Sequence, residues 1–233
     1  INNTHFGALK VKDAIVDSVR EETGSRPSVA KQYPDLRINV HLRRTTAQIA
    51  IDLSGESLHR RGYRLQTGAA PLKENLAVAL LMRAGWPNQG DFKQLVDPMC
   101  GSGTLITEAA LMMADIAPGL LRRRWGFDRW CQHQPSLWQE IFQDAKQRRE
   151  VGLNKQDYPR LSGFDADSGV LQRANNNAQA LGIESLVNFK HCDLASLSLP
   201  SPKDKGLLIT NPPYGERLGD RSSLRFLYSQ LGD

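Results

Sequence analysis

Four residues near the end of the sequence, Asn211-Pro212-Pro213-Tyr214, combine the groups that a site for a flat ring with an amino substituent would need. They follow a short apolar run over 206–210 that predicts a buried strand. Two consecutive prolines cannot extend a ladder or begin a helix, so the backbone stays stiff and open there. Its carbonyls and the Asn211 side chain can then accept hydrogen bonds, and the Tyr214 ring offers a face for stacking. We expect the exocyclic amino group of a nucleobase to fit such a place.

A glycine-containing loop at 97–104, Asp-Pro-Met-Cys-Gly-Ser-Gly-Thr, forms a second candidate site. It lies between a predicted strand at 94–96 and a predicted helix at 105–113, where glycines let a ligand approach the backbone N–H groups of the helix start. The dinucleotide fingerprint would require a glycine where the sequence has Ile106, and the Gly-Lys-Ser/Thr of a P-loop is absent. The Asp97 carboxylate would repel phosphate. It suits a ligand with a positive amino group, such as S-adenosylmethionine.

Two further carboxylates follow predicted strands. Asp165 ends the strand at 160–164, where an acidic residue can accept hydrogen bonds from ribose hydroxyls. Asp193 follows the strand at 186–189 and could accept from an adenine amino group. A single aspartate at a strand end is equally typical of a turn or a helix N-cap. Three in order on three successive strands indicate a nucleoside pocket.

The elements that must position these residues alternate between strand and helix from about residue 71 onward. This alternation predicts an α/β fold with a mostly parallel sheet covered on both faces. A long insert at about 116–159 is rich in Trp and Arg. Upstream, an apolar stripe predicts a helix at 6–22, and alternating residues predict two half-buried strands at 36–42 and 47–53 that form a hairpin.

We therefore expect an N-terminal module over 1–54, a linker over 55–70 and the α/β domain over 71–233. Because the first residue is not Met, the chain is expected to begin inside a longer protein.

Composition adds weaker constraints. The 233 residues carry a net charge of +5 and a pI near 9.2, which is compatible with a polyanionic partner. The basic clusters are weak candidates for RNA contacts, with a solvated surface as the alternative: Arg43, Arg44, Arg61, Arg64, Arg122, Arg123 and Arg124. No apolar run reaches membrane-spanning length. Three scattered cysteines and five scattered histidines predict a reduced, cytoplasmic protein without a metal site.

The motifs together resemble one family. The loop at 97–104 followed by Asn-Pro-Pro-Tyr is similar to the class I S-adenosylmethionine-dependent amino methyltransferases of nucleic acids. Further matches at 61–64, 70–74, 124–127 and 211–217 resemble the bacterial 23S ribosomal RNA guanine-N2-methyltransferases of the large-subunit L type. That resemblance implies a Rossmann-like methyltransferase sheet, preceded by the C-terminal part of an α+β THUMP domain that binds RNA.

The resemblance also implies residue roles. The S-adenosylmethionine site would contain Asp97, Pro98, Cys100, Gly101, Gly103, Thr104, Asp165, Asp193 and Asn211. Asn211 and the Pro212 carbonyl would accept hydrogen bonds from the guanine amino group, and Tyr214 would stack on the base. Lys73 and the segment 61–64 would lie near the mouth of the cofactor site. The target guanine in 23S ribosomal RNA would be unpaired or flipped out.

Other interpretations remain open. Similar Asn-Pro-Pro-Tyr sites methylate DNA adenine or cytosine, or protein glutamine. Only 19 residues follow Tyr214, whereas a complete sheet of this type would need about three more strands. The chain could therefore be a fragment that binds RNA or S-adenosylmethionine without turnover. The sequence does not indicate an oligomeric state.

Overall fold

The computed structural model describes residues 4–64, 72–88, 91–198, 203–213 and 221–232, which form two compact units. Unit 1 comprises Ile1–Ser57 and Arg124–Gln134, and unit 2 comprises Leu58–Arg123 and Pro135–Asp233. The helices are α1 (Thr4–Thr23), α2 (Glu74–Arg83), α3 (Thr104–Met113), α4 (Pro135–Asn154), α5 (Ser168–Leu181) and α6 (Arg221–Gly232). The strands are β1 (Arg37–Arg43), β2 (Thr46–Asp52), β3 (Gln94–Asp97), β4 (Arg160–Asp165), β5 (Val187–His191) and β6 (Gly206–Leu208).

Unit 1 contains helix α1 and the expected hairpin. Strands β1 and β2 pair antiparallel from Arg37 opposite Asp52 to Arg43 opposite Thr46. Their apolar side chains are far more exposed than the alternation predicts, with Ile49 62% exposed. The alternation identified the strands correctly, but half-burial needs a layer packed on the apolar face, and these two strands form a sheet by themselves.

The segment 124–134 leaves the α/β unit and packs within unit 1. Gly126 lies against the backbone that follows β2, where a Cβ would come within 2.6 Å of the Gly55 nitrogen. Arg129 donates to Asp35 over 2.7 Å. The rings of Trp125 and Phe127 stack with their centroids 5.7 Å apart. The Trp- and Arg-rich part of the insert is therefore a packed element of unit 1.

Unit 2 is built on a four-stranded parallel sheet with the order β5-β4-β3-β6. Strand β3 is fully buried, because β4 and β6 flank it and α3 packs on it. Helix α3 is buried on nearly every side and lies at the centre of the core, where Trp86 donates to the Ala109 carbonyl over 3.0 Å. A parallel sheet with an apolar central strand confirms the predicted α/β class.

One long helix was not predicted. Helix α4 lies inside the insert, and Arg149 ties it to the end of α5 by donating to the Leu181 carbonyl over 2.9 Å. Gly152 packs against the Ala114 backbone with no room for a Cβ. Across the described ranges, none of the helices is both long enough and apolar enough to span a membrane.

Candidate functional site

The carboxyl ends of the four parallel strands bring the predicted site residues to one edge of the sheet. Asp97 and Asp165 are the last residues of β3 and β4, Asp193 lies two residues beyond β5, and Asn211 lies three beyond β6. Along the edge the order is Asp193, Asp165, Asp97, Asn211, which follows the strand order rather than the chain order. Crevices at this end of a parallel sheet are where doubly wound folds bind ligands.

Asp97 is a buried carboxyl group with 2% of its surface exposed. One of its oxygens accepts from the Met99 backbone N–H over 3.2 Å. Burial raises the pKa of Asp97 to about 7, the Thr210 hydroxyl and the Met99 N–H oppose that rise, and the Asp165 carboxylate adds to it. No lysine or arginine in the described ranges forms an ion pair with Asp97. A ligand that brings a cation would therefore stabilise the charged form.

The loop between β3 and α3 turns tightly and is tied to β4. The Gly101 N–H donates to Asp165 over 2.8 Å, and the Cys100 N–H donates to the Phe164 carbonyl over 2.8 Å. Gly103 adopts a left-handed φ of 79°, and a Cβ there would lie 2.7 Å from the Phe189 ring. A Cβ on Gly101 would meet nothing within 4 Å, so the backbone is open on that side. Pro98, Cys100 and Thr104 of the same loop are buried.

Asp165 and Asp167 have different roles although they are two residues apart. Asp167 is the N-cap of α5, where its side chain accepts from Gly169 N–H over 2.7 Å and from Val170 N–H over 3.3 Å. Asp165 accepts from Gly101 and, through its other oxygen, from the Asp167 N–H over 3.0 Å. The carboxylate at the strand end thus faces the glycine loop, and its remaining lone pairs can accept from ligand hydroxyls.

Asp193 lies beside Asp165 at the next strand end. The Cys192 N–H donates to the Asp165 carbonyl over 3.1 Å, which continues the β4–β5 pairing up to this residue. Asp193 begins a short 3₁₀ turn through its backbone carbonyl, while its side chain does not cap that turn. Its exposed carboxylate can therefore act as an acceptor at the site edge.

The predicted acceptor pair follows β6. The Ile209 N–H still donates to the Val96 carbonyl over 3.0 Å, and the chain then leaves the sheet at Thr210, next to Asp97. Asn211, Pro212 and Pro213 are half-buried. The Tyr228 hydroxyl donates to the Pro213 carbonyl over 3.4 Å. Tyr214, which was predicted to stack on the base, lies outside the described residues.

Arg61 and Arg64 have partners that the sequence did not suggest. Arg61 pairs with Glu108 at 3.4 Å and Arg64 with Glu74 at 3.4 Å, and their side chains are only 11% and 9% exposed. The two guanidinium groups therefore face buried carboxylates of unit 2, and this argues against the expectation that they bind RNA. The Arg-Gly-Tyr-Arg motif marked the segment at 61–64, but nothing in the sequence identified Glu108 as its partner.

The other candidate RNA-binding arginines are divided between the two units. Arg43 and Arg44 are exposed at the hairpin turn of unit 1, and the exposed Arg124 lies over the Tyr33 ring, 4.8 Å from its centroid. In unit 2, Arg123 is exposed and Arg122 donates to the Arg60 carbonyl over 3.3 Å. Within the described ranges, no group of three or more His, Cys, Asp and Glu residues could hold a metal ion.

Comparison with known proteins matches both parts of the chain. Residues 61–233 match the family described as "RMKL-like, methyltransferase domain", and residues 1–52 match the THUMP domain. Proteins named ribosomal RNA large subunit methyltransferase K/L are 54% identical over 235 residues in Pseudomonas aeruginosa PAO1 and 51% over 238 in Cellvibrio japonicus. These alignments include 100% of this chain but 32% and 31% of the relatives, so the chain spans about a third of their length.

Solved structures show the same similarity. SMU.472, whose crystal structure is a complex with SAH, is 35% identical with a TM-score of 0.79. A protein from Listeria monocytogenes described as a predicted N6-adenine-specific DNA methylase is 32% identical with a TM-score of 0.79. Each alignment covers 95% of this chain and 56% of the other. TrmN from Thermus thermophilus, at 21% identity and a TM-score of 0.59 over 95% of this chain and 51% of its own, shares the fold.

Proposed function

The chain belongs to the RMKL-like methyltransferase family, and from this premise we propose that it is part of an enzyme that methylates ribosomal RNA. The THUMP match at residues 1–52 and the named relatives support an RNA substrate. The observation that carries the proposal is that Asn211-Pro212 follow β6 and Asp97 ends the neighbouring strand β3, at the carboxyl edge of a parallel sheet. Acceptors for an amino group and a carboxylate for a cation thus lie on neighbouring strands.

S-adenosylmethionine is the methyl donor, as predicted from the sequence, because the family is one of methyltransferases and a structural neighbour contains SAH. The residues present fit this cofactor. Buried Asp97, without a cation of its own in the described ranges, suits the ammonium group, and the open backbone at Gly101 leaves room for a ligand. We assign Asp165 to the ribose hydroxyls and Asp193 to the adenine amino group. When bound, S-adenosylmethionine supplies an electrophilic methyl group on its sulfonium.

We assign the catalytic role to hydrogen-bond acceptance. The N2 lone pair of guanine is delocalised into the ring, so the amino group is a poor nucleophile. The Asn211 side-chain oxygen and the Pro212 carbonyl would accept hydrogen bonds from its two N–H groups. They would thereby direct the nitrogen lone pair toward the methyl carbon. Methyl transfer to this nitrogen would release SAH, and the nitrogen would then lose one proton to solvent. The rate enhancement comes from positioning and fixed dipoles rather than from a general base.

We further propose that the acceptor is the N2 atom of a guanine in 23S ribosomal RNA, unpaired or flipped out of its helix. The similarity of segments 61–64, 124–127 and 211–217 to the guanine-N2 enzymes supports this choice. Tyr214 is proposed to stack on the base.

A second candidate function uses the same methyl-transfer chemistry on a different substrate. The Listeria neighbour is described as a DNA methylase, so methylation of an adenine amino group in DNA is an alternative reaction for the same site. The relatives named as ribosomal RNA methyltransferases, at 54% identity over the whole chain, favour RNA over DNA.

Methyl transfer from labelled S-adenosylmethionine tests the proposal. The 233-residue chain, and separately a full-length relative that carries it, would be incubated with 23S ribosomal RNA lacking the modification and with duplex DNA. Label in N2-methylguanine of the RNA is the expected result. Label in DNA adenine would support the alternative, and a full-length protein that labels neither would overturn the proposal.

Asn211→Ala is the matching variant. We expect it to reduce the rate at least 100-fold in the full-length protein, because the lost acceptor acts on the transition state. A wild-type rate in Asn211→Ala would remove Asn211 from the mechanism.

A further inference from the structure

The backbone loop that is proposed to hold the cofactor is followed at once by helix α3, whose first residue, Thr104, is contacted by an arginine from a distant segment. Arg64 Nη2 donates to Thr104 Oγ1 over 2.6 Å. The same nitrogen donates to the Leu72 carbonyl over 3.2 Å, two residues before α2 begins. Arg64 therefore joins the start of α2 to the start of α3.

A buried acidic residue holds this guanidinium in place. Arg64 Nη1 lies 3.4 Å from Glu74 Oε1, and the Glu74 side chain is 4% exposed. Buried arginines with two or more directed contacts are fixed in orientation, because the planar guanidinium fork matches only one arrangement of acceptors. The Arg64 guanidinium group thus has three acceptors, which are the Leu72 carbonyl, the Glu74 carboxylate and the Thr104 hydroxyl.

Two other residues of the segment 61–64 contact α3 one helical turn further along. Tyr63 is 1% exposed and donates through its hydroxyl to Glu108 Oε1 over 3.0 Å. Arg61 Nη2 lies 3.4 Å from Glu108 Oε2. Thr104 and Glu108 are four residues apart and so lie on the same helix face. The segment 61–64 therefore runs along one side of the first turns of α3.

Helix stability alone does not account for the Arg64 contact. A cation near a helix N-terminus opposes the helix dipole, so the charge of Arg64 is unfavourable for α3 taken by itself. The N-cap of α3 is Gly103, which has no side chain to satisfy or orient the first turn. The Arg64–Thr104 contact orients the first turn of α3, as a capping side chain would otherwise do.

We propose that Arg64 is a positioning residue for the cofactor site, which sets the orientation of the 101–103 loop by fixing Thr104 against the start of α2. This inference rests on the proposed function, since it assigns the loop to S-adenosylmethionine. Arg64 acts through Thr104 and Glu74 and does not need to touch the cofactor.

Three substitutions test this role in the 233-residue chain. Arg64→Lys keeps the charge but loses the fork, and Thr104→Val keeps the shape but loses the acceptor. Arg61→Lys is the matched control, because Arg61 is similarly buried and similarly paired but contacts α3 at Glu108. Two readouts are used for each variant: amide hydrogen exchange of peptides covering 98–106 without ligand, and calorimetric titration with SAH.

We expect Arg64→Lys and Thr104→Val each to speed exchange of the loop peptides at least tenfold and to weaken SAH binding at least tenfold. Peptides of β4 should exchange as in the wild type. The double variant should bind SAH with the same affinity as whichever single variant binds it less tightly. Both substitutions remove the same Arg64–Thr104 contact, so their effects should not add. Arg61→Lys should leave the loop exchange and the SAH affinity within about twofold of the wild type.

Loop exchange and SAH affinity that stay at wild-type values in both Arg64→Lys and Thr104→Val would overturn the inference. Equal effects from Arg61→Lys would also overturn it, since the segment would then only stabilise the helix. A wild-type chain that binds no SAH would contradict the cofactor assignment in this chain, while the exchange data would still decide whether Arg64 positions the loop.

Discussion

The Gly101 N–H donates to the Asp165 carboxylate over 2.8 Å, so the glycine loop after β3 is fixed to the end of β4 by a residue that is itself proposed to bind the cofactor. A hydrogen bond to a charged acceptor contributes about 1.5–3 kcal/mol. The carboxylate can therefore shape the loop before any ligand arrives. Loop order and the proposed ribose binding would both depend on this one side chain.

Asp165→Ala should weaken SAH binding at least tenfold, because it removes an acceptor from the ligand and a tether from the loop. Asp167→Ala is the control two residues away, and it should lower the free energy of unfolding by about 1 kcal/mol through loss of the α5 N-cap. Calorimetric titration with SAH and urea unfolding measure the two effects. Equal SAH affinities in the two variants would contradict the separate roles.

Asp97→Asn should stabilise the ligand-free protein at pH 8. The pKa of Asp97 rises from 3.8 to about 7 on folding, so between these values the folded state keeps a proton that the unfolded state has lost. The free energy of unfolding then falls as pH rises, with a slope of up to about 1.4 kcal/mol per pH unit.

The asparagine variant should lose this slope. Its unfolding free energy should match the wild type near pH 4 and exceed it by about 1–4 kcal/mol at pH 8. Urea unfolding at pH 4, 5, 6, 7 and 8 checks this, and a variant less stable than the wild type at pH 8 would contradict it. In the wild type, SAH affinity should increase from pH 6 to 7.5, because the ammonium group is proposed to bind the ionised form of Asp97.

Gly103→Ala should destabilise unit 2 by about 2–4 kcal/mol. The left-handed φ of 79° costs a non-glycine residue about 1–2 kcal/mol, and a Cβ would lie 2.7 Å from the Phe189 ring and 3.0 Å from Ala174 Cβ. Gly24→Ala isolates the backbone term, since Gly24 has a φ of 74° with nothing within 4 Å of its Cβ position. Urea unfolding of both variants gives the difference, and equal losses would mean that Phe189 moves aside freely.

Gly126→Ala should loosen unit 1 and leave unit 2 unchanged. A Cβ at this position would lie 2.6 Å from the Gly55 backbone nitrogen, and backbone cannot rotate away as a side chain can. Overpacking of this kind costs about 1–3 kcal/mol. Hydrogen exchange should rise in the β1–β2 hairpin, with the α5 peptides in the same sample as the internal control. Unchanged hairpin exchange would show that segment 124–134 contributes nothing to its stability.

The sequence predicted the elements that carry the site because each had a local signal. Strand β3 is a short apolar run that ends at Asp97, and α5 has an aspartate cap and a glycine after its last turn. The order of β5 and β6 on opposite sides of the sheet had no such signal, since it depends on contacts between distant segments. Helix α4 was missed because its few apolar residues are interspersed with polar and charged ones.

Arg61 and Arg64 show a different limit. In the sequence they resemble any exposed basic cluster, because the buried carboxylates that pair with them lie 47 and 10 positions away. Burial of a charge is a property of the assembled core. It becomes visible only when α2, α3 and the segment 61–64 are placed together.

The assignment of 124–134 to unit 1 has a consequence for how such a protein could be rearranged in evolution. The chain passes from one unit to the other at three points, near 57, 123 and 134. Recombination at a single junction would transfer residues 1–57 without the eleven residues 124–134 that complete unit 1. Exchange of one unit for that of a homologue would therefore require three compatible breakpoints at once.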